Sequence, residues 1–234
     1  MDFLDPGQNP DVAPVSPAEE AAEKARLEGE LVELRRRRDA LAETDPERHV
    51  LALEMARNLA LLERGEEAWP LARAALDHFV ANEQWQQAAE ACEALYLADQ
   101  PGSLAALGQG IWLAVTYPVE PQVTLTLLQH FIDDTPPDAD GAAVAAATAA
   151  FVADLRAQGD ERENLLFFTQ QMLGNVARRH SGVESQQQFD YWIDKLELNQ
   201  PDKFLVRLRN IVDVLVQDDW WFDREELQAR LPEE

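Results

Sequence analysis

Between residues 46 and 101 apolar side chains recur at helical spacing with few interruptions. Leu51, Met55, Leu59 and Leu62 follow at intervals of four, four and three, which traces one face of a 3.6-residue helix. Thr44 and Asp45 can each accept a hydrogen bond from a free N–H of its first turn, and Pro46 stands where a missing N–H costs nothing. Gly65 reads as the left-handed residue that closes this helix. Leu71, Ala75, Leu76 and Phe79 mark a second helix, with Glu66 and Glu67 near its positive end. Pro70, which would break a helix interior, is read as belonging to its first turn. Asn82 breaks the pattern, and a third helix over 83–98 collects Trp85, Ala88, Ala89, Cys92, Leu95 and Tyr96 on one side. Gln86, Gln87, Glu90 and Glu93 fall on the other. Breaks this short leave neighbouring helices antiparallel. The alanines let their axes approach, and Trp69, Phe79 and Trp85 fill the remaining space.

The same device recurs on both sides. Residues 1–16 hold Pro6, Pro10 and Pro14 among aspartates and read as a disordered tail. A long charged helix is predicted over 17–43, with a narrow coiled-coil-like seam of Leu27, Leu31, Leu34 and Leu41. Beyond Pro101, Ser103 is expected to cap a helix carrying Leu104, Leu107, Ile111 and Val115, so that the β-branched and aromatic stretch 110–117 is read as helix rather than strand. Gly108 and Gly110 inside it lack the third glycine and preceding strand of a dinucleotide site and predict close helix packing. A helix with Val123, Leu127, Leu128 and Phe131 follows the Pro118 and Pro121 turn. The break at 133–140 lacks the carboxylate spacing of a calcium loop, and Asp140 is read as an N-cap. The alanine-rich helix over 141–157 should sit tightly between others. Gly159 and Asp160 separate it from a helix ending near His180 and Gly182, with Leu165, Leu166, Phe168, Met172, Leu173 and Val176 on its apolar face. Two further helices, over 184–198 and from Pro201 through Leu215, precede a short terminal one.

Charge narrows the function classes. The 234 residues carry 20 basic and 44 acidic side chains, a formal net charge of −24. Such a surface repels phosphate backbones and anionic membranes, so nucleic acid and membrane are not expected partners. The densest positive patch is Arg35, Arg36, Arg37 and Arg38, which is either a solvated face or a docking patch for an acidic surface. No stretch approaches a membrane span, the N-terminal residues do not read as a secretory signal, and the single Cys92 excludes an internal disulfide. The expectation is a cytoplasmic protein with Cys92 as a buried, inert thiol.

The residues offer little catalytic chemistry. His49, His78, His130 and His180 lack zinc-protease and di-iron spacing, and the serines Ser16, Ser103, Ser181 and Ser185 stand in no GxSxG turn. No catalytic residue, cofactor or metal is therefore expected, although distant carboxylates, with His130 or His180, could converge in a cleft. The aromatic residues instead gather near the end of the chain. Phe189, Tyr191, Trp192, Phe204, Trp220, Trp221 and Phe222 all lie there. The adjacent Trp220 and Trp221 cannot both enter one core from a regular helix. The group Trp192, Trp220, Trp221 and Phe222 reads either as a C-terminal plug or as a partner anchor.

The segment Arg64-Gly65-Glu66-Glu67-Ala68-Trp69-Pro70-Leu71, with Trp85, Ala88 and Ala89, resembles the inter-helix junction of tetratricopeptide-type repeats over about residues 46–136. Leu107-Gly108 and Pro136 add to it, while the helices depart from the family's 34-residue period. The turn Pro46-Glu47-Arg48-His49 is more weakly similar to the Pro-Asp-His turn of molybdenum-oxidoreductase maturation chaperones, with Arg48 in place of the acid. These resemblances imply an all-α, right-handed α-solenoid of antiparallel helix pairs that binds protein. The expected organisation is a tail over 1–16, a charged helix over 17–44, tetratricopeptide-like repeats over 45–136 and a helical bundle with an aromatic end over 137–234. The expected role is a non-catalytic adaptor, or an assembly or maturation chaperone whose partner is an enzyme subunit. A homodimer through the leucine seam is a further option for partnership. The alternative is a helical enzyme or small-ligand domain using scattered carboxylates.

Overall fold

The structure, a computed structural model, describes residues 16–230. Among them the chain forms eleven helices and no strand: α1 (Pro17–Ala40), α2 (Glu47–Leu61), α3 (Gly65–Ala81), α4 (Trp85–Leu97), α5 (Ser103–Thr116), α6 (Pro121–Asp134), α7 (Asp140–Arg156), α8 (Gly159–Ser181), α9 (Gln186–Lys195), α10 (Pro201–Val216) and α11 (Arg224–Ala229). The tail expected over 1–16 lies outside the described residues except for Ser16. That residue forms a capping box: its hydroxyl accepts the Glu19 N–H at 3.2 Å, and the Glu19 carboxylate accepts the Ser16 N–H at 2.8 Å.

From α1 to α8 nearly every helix packs closely on the next, and α2 also meets α4, as α4 meets α6. The starts of α2, α4, α6 and α8 fall at 47, 85, 121 and 159, intervals of 38, 36 and 38 residues. The turns explain the regularity. Glu63, Glu83 and Asp99 take left-handed conformations (φ 58°, 57° and 50°) just after α2, α3 and α4. After α2 and α3 the next N–H reaches back into the helix, from Arg64 to the Leu59 carbonyl at 2.8 Å and from Gln84 to the Phe79 carbonyl at 2.9 Å. The left-handed residue after α2 is therefore Glu63, not Gly65 as the sequence suggested. Gly65 instead begins α3, where an added Cβ would lie 1.8 Å from the Ala98 carbonyl oxygen. Its role is to let two backbones touch.

α5 is enclosed. Residues 105–114 are all buried, by α4, α6 and α10. Gly108 faces α10, where a Cβ would meet Val216 Cγ2 at 2.7 Å, and Gly110 faces Cys92 at 2.8 Å and Leu127 at 3.2 Å. The glycine pair is thus a packing device, as expected. α7 is similarly clasped by α6, α8 and α10, and its alanines are buried from Ala142 to Ala147. The leucines Leu27, Leu31 and Leu34 of α1 are buried, and the helix lies along α2.

Some local expectations are corrected. α1 stops at Ala40, because Leu41 turns extended and Arg48 donates to the Arg38 and Leu41 carbonyls at 2.7 and 3.1 Å. Pro70 lies inside α3 on an exposed side. Ser103 is the first residue of α5 rather than its cap, and its hydroxyl donates to the Leu95 carbonyl at 2.9 Å. Asp140 makes no capping bond to α7; its carboxylate is engaged by His180 and Arg207. Leu104 and Phe168 point outward, since each helix commits a different stripe to its neighbours. The expected boundary at 136 falls in the turn between α6 and α7, which pack together across it.

Glycine substitutions separate packing from propensity. Gly65→Ala should lower stability by about 1–3 kcal/mol through overpacking. Gly29→Ala, where a Cβ meets nothing within 4 Å on α1, should raise it by about 0.5–1 kcal/mol. Urea denaturation of both variants measures the two signs, and equal effects would contradict the packing role of Gly65.

Candidate functional site

The four arginines predicted as a docking patch end α1. Arg36 donates to both carboxylate oxygens of Glu33 at 2.6 and 2.8 Å, and Arg37 reaches Glu47 at 3.5 Å. Arg35 is exposed, and Arg38 is half-buried with a buried Nε that has no hydrogen-bond partner among the described residues. Next to them the rings of His49 and His78 stack at 3.9 Å with planes 5° apart. Burial, followed by the charges of His78, Arg38 and Arg48, holds the His49 imidazole below its ordinary pKa. Over residues 33–49 five arginines face five carboxylates, so this end is balanced where the chain as a whole is acidic.

The C-terminal aromatics are distributed among separate niches. Trp220 meets Trp112 edge-on at 5.9 Å, and Phe222 lies 5.5 Å from the same ring. Trp221 instead turns to Trp69 at 5.9 Å. Arg224 covers Trp220 at 4.0 Å and Arg73 covers Trp221 at 4.8 Å. Gln109, 0 % exposed, joins them to α5. Its Oε1 accepts the Trp221 N–H at 2.9 Å, and its Nε2 donates to the Ala105 and Asp219 carbonyls at 3.2 and 3.4 Å. Trp220, Trp221 and Phe222 are thereby half-buried. Trp192 is 3 % exposed, and its indole N–H donates to His180 Nδ1 at 3.2 Å.

The sequence offered His130 and His180 as possible partners of distant carboxylates, and the structure places each beside one. His180 Nε2 lies 3.1 Å from Asp140 Oδ1, while Nδ1 lies 2.7 Å from the Ser181 hydroxyl. Trp192 can only donate, so Nδ1 serves as an acceptor and the ring proton sits on Nε2 toward Asp140. The order Asp140, His180, Ser181 matches a nucleophilic triad in part. The neighbouring Gly182 N–H, however, is spent on the Arg178 carbonyl at 2.9 Å. On α4 and α6, His130 lies 3.4 Å from Glu93 and tilts against Tyr96, whose hydroxyl donates to Asp134 at 2.7 Å. Burial first, then that hydrogen bond, pushes the Tyr96 pKa upward. Among the described residues no three His, Cys, Asp or Glu side chains gather to hold a metal ion. Cys92 is fully buried, and burial raises its thiol pKa.

Aromatic side chains are exposed on α8 and α9. Phe167 and Phe168 are 63 % and 47 % exposed, and Tyr191 is 68 % exposed. A cavity of about 490 Å³ lies between the two helices, lined by Leu173, Phe189, Ile193 and Leu198 with Asp190 and Asp194 beside them. The sequence pattern missed this surface because it assigned Phe168 to the buried face. The spacing Leu165, Thr169, Met172, Val176 places Phe167 on the opposite face, whereas Phe168, three residues after Leu165 and four before Met172, borders the stripe. Comparison of the chain with family models, curated proteins and solved structures finds no match.

His49 gives this structure a pH signature. A group protonated less readily in the folded state contributes stability that is complete above its unfolded pKa and declines as pH falls below it. The stability difference between wild type and His49→Gln should therefore shrink from about pH 7.5 to about pH 5.5, around the ordinary histidine value near 6.5. Chemical denaturation of both chains across this range checks the sign; a parallel pair of curves would contradict it.

Proposed function

We propose that the chain is a helical-repeat interaction protein, with its helix pairs arranged as a right-handed solenoid of the tetratricopeptide kind. It would act as an adaptor, or as an assembly or maturation chaperone, for a subunit of a cytoplasmic enzyme complex. The observation that carries this reading is the pair Phe167 and Phe168, exposed side by side on α8. Contiguous exposed apolar surface marks interaction sites in folded proteins, and aromatic side chains contribute most at them. Two further features support it. α2, α4, α6 and α8 start at intervals of 36–38 residues, as in stacked helix-pair repeats. Opposite in chain order to the aromatic surface, Arg35, Arg36, Arg37 and Arg38 are a second candidate contact, with Arg35 exposed and Arg36 and Arg37 already paired to Glu33 and Glu47. Trp220, Trp221 and Phe222 contribute to this reading chiefly by fixing the fold, with their outer edges open to solvent. The net charge of −24 favours protein over nucleic acid or an anionic membrane. No helix among the described residues is long and apolar enough to cross a membrane.

A second reading is favoured by the Asp140–His180–Ser181 arrangement, which would make the chain a hydrolytic enzyme. The occupied Gly182 N–H leaves a developing oxyanion without that donor.

The tagged full chain should retain a stoichiometric protein partner when purified gently from its native cells. Phe167→Ser/Phe168→Ser should reduce that partner at least tenfold with an unchanged melting temperature. A wild-type chain that recovers no partner, together with p-nitrophenyl acetate hydrolysis abolished by Ser181→Ala, would instead establish the enzyme reading.

A further inference from the structure

The chain leaves α10 through a turn that its residue type does not suit. Gln217 has φ 53° and ψ −123°, the conformation of the first central position of a type II′ turn, where glycine is the usual occupant. The Asp219 N–H closes the turn on the Val216 carbonyl at 3.0 Å. A left-handed residue is tolerated near a ψ of about +47°, and Gln217 lies far from that well, so its side chain strains the backbone.

Residues 218–230, the segment beyond the turn, are held by groups that lie far from them in sequence. Trp220 and Phe222 pack on Trp112, and Trp221 packs on Trp69 beneath Arg73. Gln109 holds the Trp221 N–H and the Asp219 carbonyl. Leu227 of α11 is buried, and Arg230 reaches Glu83 at 3.3 Å. Arg224 donates to Asp213 at 2.6 Å, back across the turn. Lifting this clasp into solvent would strip the buried Gln109 of two partners and bare Trp112, so a free, open clasp is costly. The same clasp seated on an identical body keeps all of these contacts and relaxes Gln217. A short strained hinge next to a segment that docks on its own chain favours exchange of that segment between copies.

We infer that the clasp takes a second copy of this chain as its partner: residues 218–230 exchange between two copies, with Gln217 as the hinge. In the dimer each Gln109 accepts the N–H of the other copy's Trp221, and each Asp213 accepts from the other copy's Arg224. The contact is two-fold symmetric, each body receiving what it gives. Only the turn is surrendered, together with its bond from Asp219 to Val216. The exchange goes beyond the interaction role proposed above and does not depend on it.

The test is sedimentation of the full chain at rising concentration, after warming that lets the turn open and reclose. Wild type should give a discrete dimer beside the monomer. Gln217→Gly, which relieves the turn in the closed chain, should raise the dimer dissociation constant at least about fivefold. Hydrogen exchange of the isolated dimer should find the Trp221 N–H as protected as in the monomer and the Asp219 N–H less so. Charge exchange then tells swapped copies from copies that merely abut. In Asp213→Lys the new lysine faces its own Arg224, and in Arg224→Glu the new glutamate faces its own Asp213, so each variant repels its own clasp. Warmed together, the two variants can pair the new lysine with the new glutamate and Asp213 with Arg224, and the mixed dimer should exceed either variant's own dimer at least tenfold. A wild-type chain that stays monomeric throughout would overturn the proposal. So would a dimer constant unmoved by Gln217→Gly, or charge variants that form mixed dimers only in proportion to their numbers.

Discussion

A helix enclosed on several sides must be small where its neighbours come closest and must carry no unpaired polar group. α5 meets both conditions. Gly108 admits α10, Gly110 admits α4 and α6, and every residue between Ala105 and Ala114 is buried. Its one strongly polar side chain, Gln109, spends both ends of the carboxamide on backbone groups. In a dry interior each of those groups would cost about 1–3 kcal/mol if left unpaired. The same carboxamide ties the segment after α10 to α5, so core and C-terminal clasp share one anchor.

That anchor gives a physical reason for the tryptophan pair. Leaving α10 at Gln217 in a positive-φ conformation, the chain doubles back over α5 and α3. Trp220 and Trp221 then face opposite neighbours, each under an arginine. The clasp closes the side on which α10 crosses α5 and α7, whereas α8, at the other edge of α7, has only the short α9 beyond it. Phe167 and Phe168 are exposed on α8. The proposed interaction role rests on this aromatic pair.

Much of the helical layout was legible. The stripes of α2 and α4, the glycine pair of α5 and the buried alanines of α7 all follow from residue type and spacing. The turns were read less well, because Glu63, Glu83 and Asp99 occupy left-handed positions usually marked by glycine, while Gly65 answers a contact with Ala98 that lies far along the chain. Trp220 and Trp221 stood out at once, but their partners, Trp112, Trp69 and Gln109, are more than a hundred residues away. No local pattern encodes such a pairing. Which carboxylates would meet His130 and His180 was hidden for the same reason, since Glu93 and Asp140 reach them through tertiary packing.

Native-state hydrogen exchange of Gln109→Leu probes the shared anchor most directly. Loss of one to two satisfied backbone partners, about 1–3 kcal/mol, should speed exchange of the Trp221 N–H and of α11 roughly fivefold to a hundredfold. Protection in α5 and α10 should fall with it. Unchanged exchange at Trp221, or a loosened C-terminal segment beside an unaltered α5, would contradict the coupling of core and clasp.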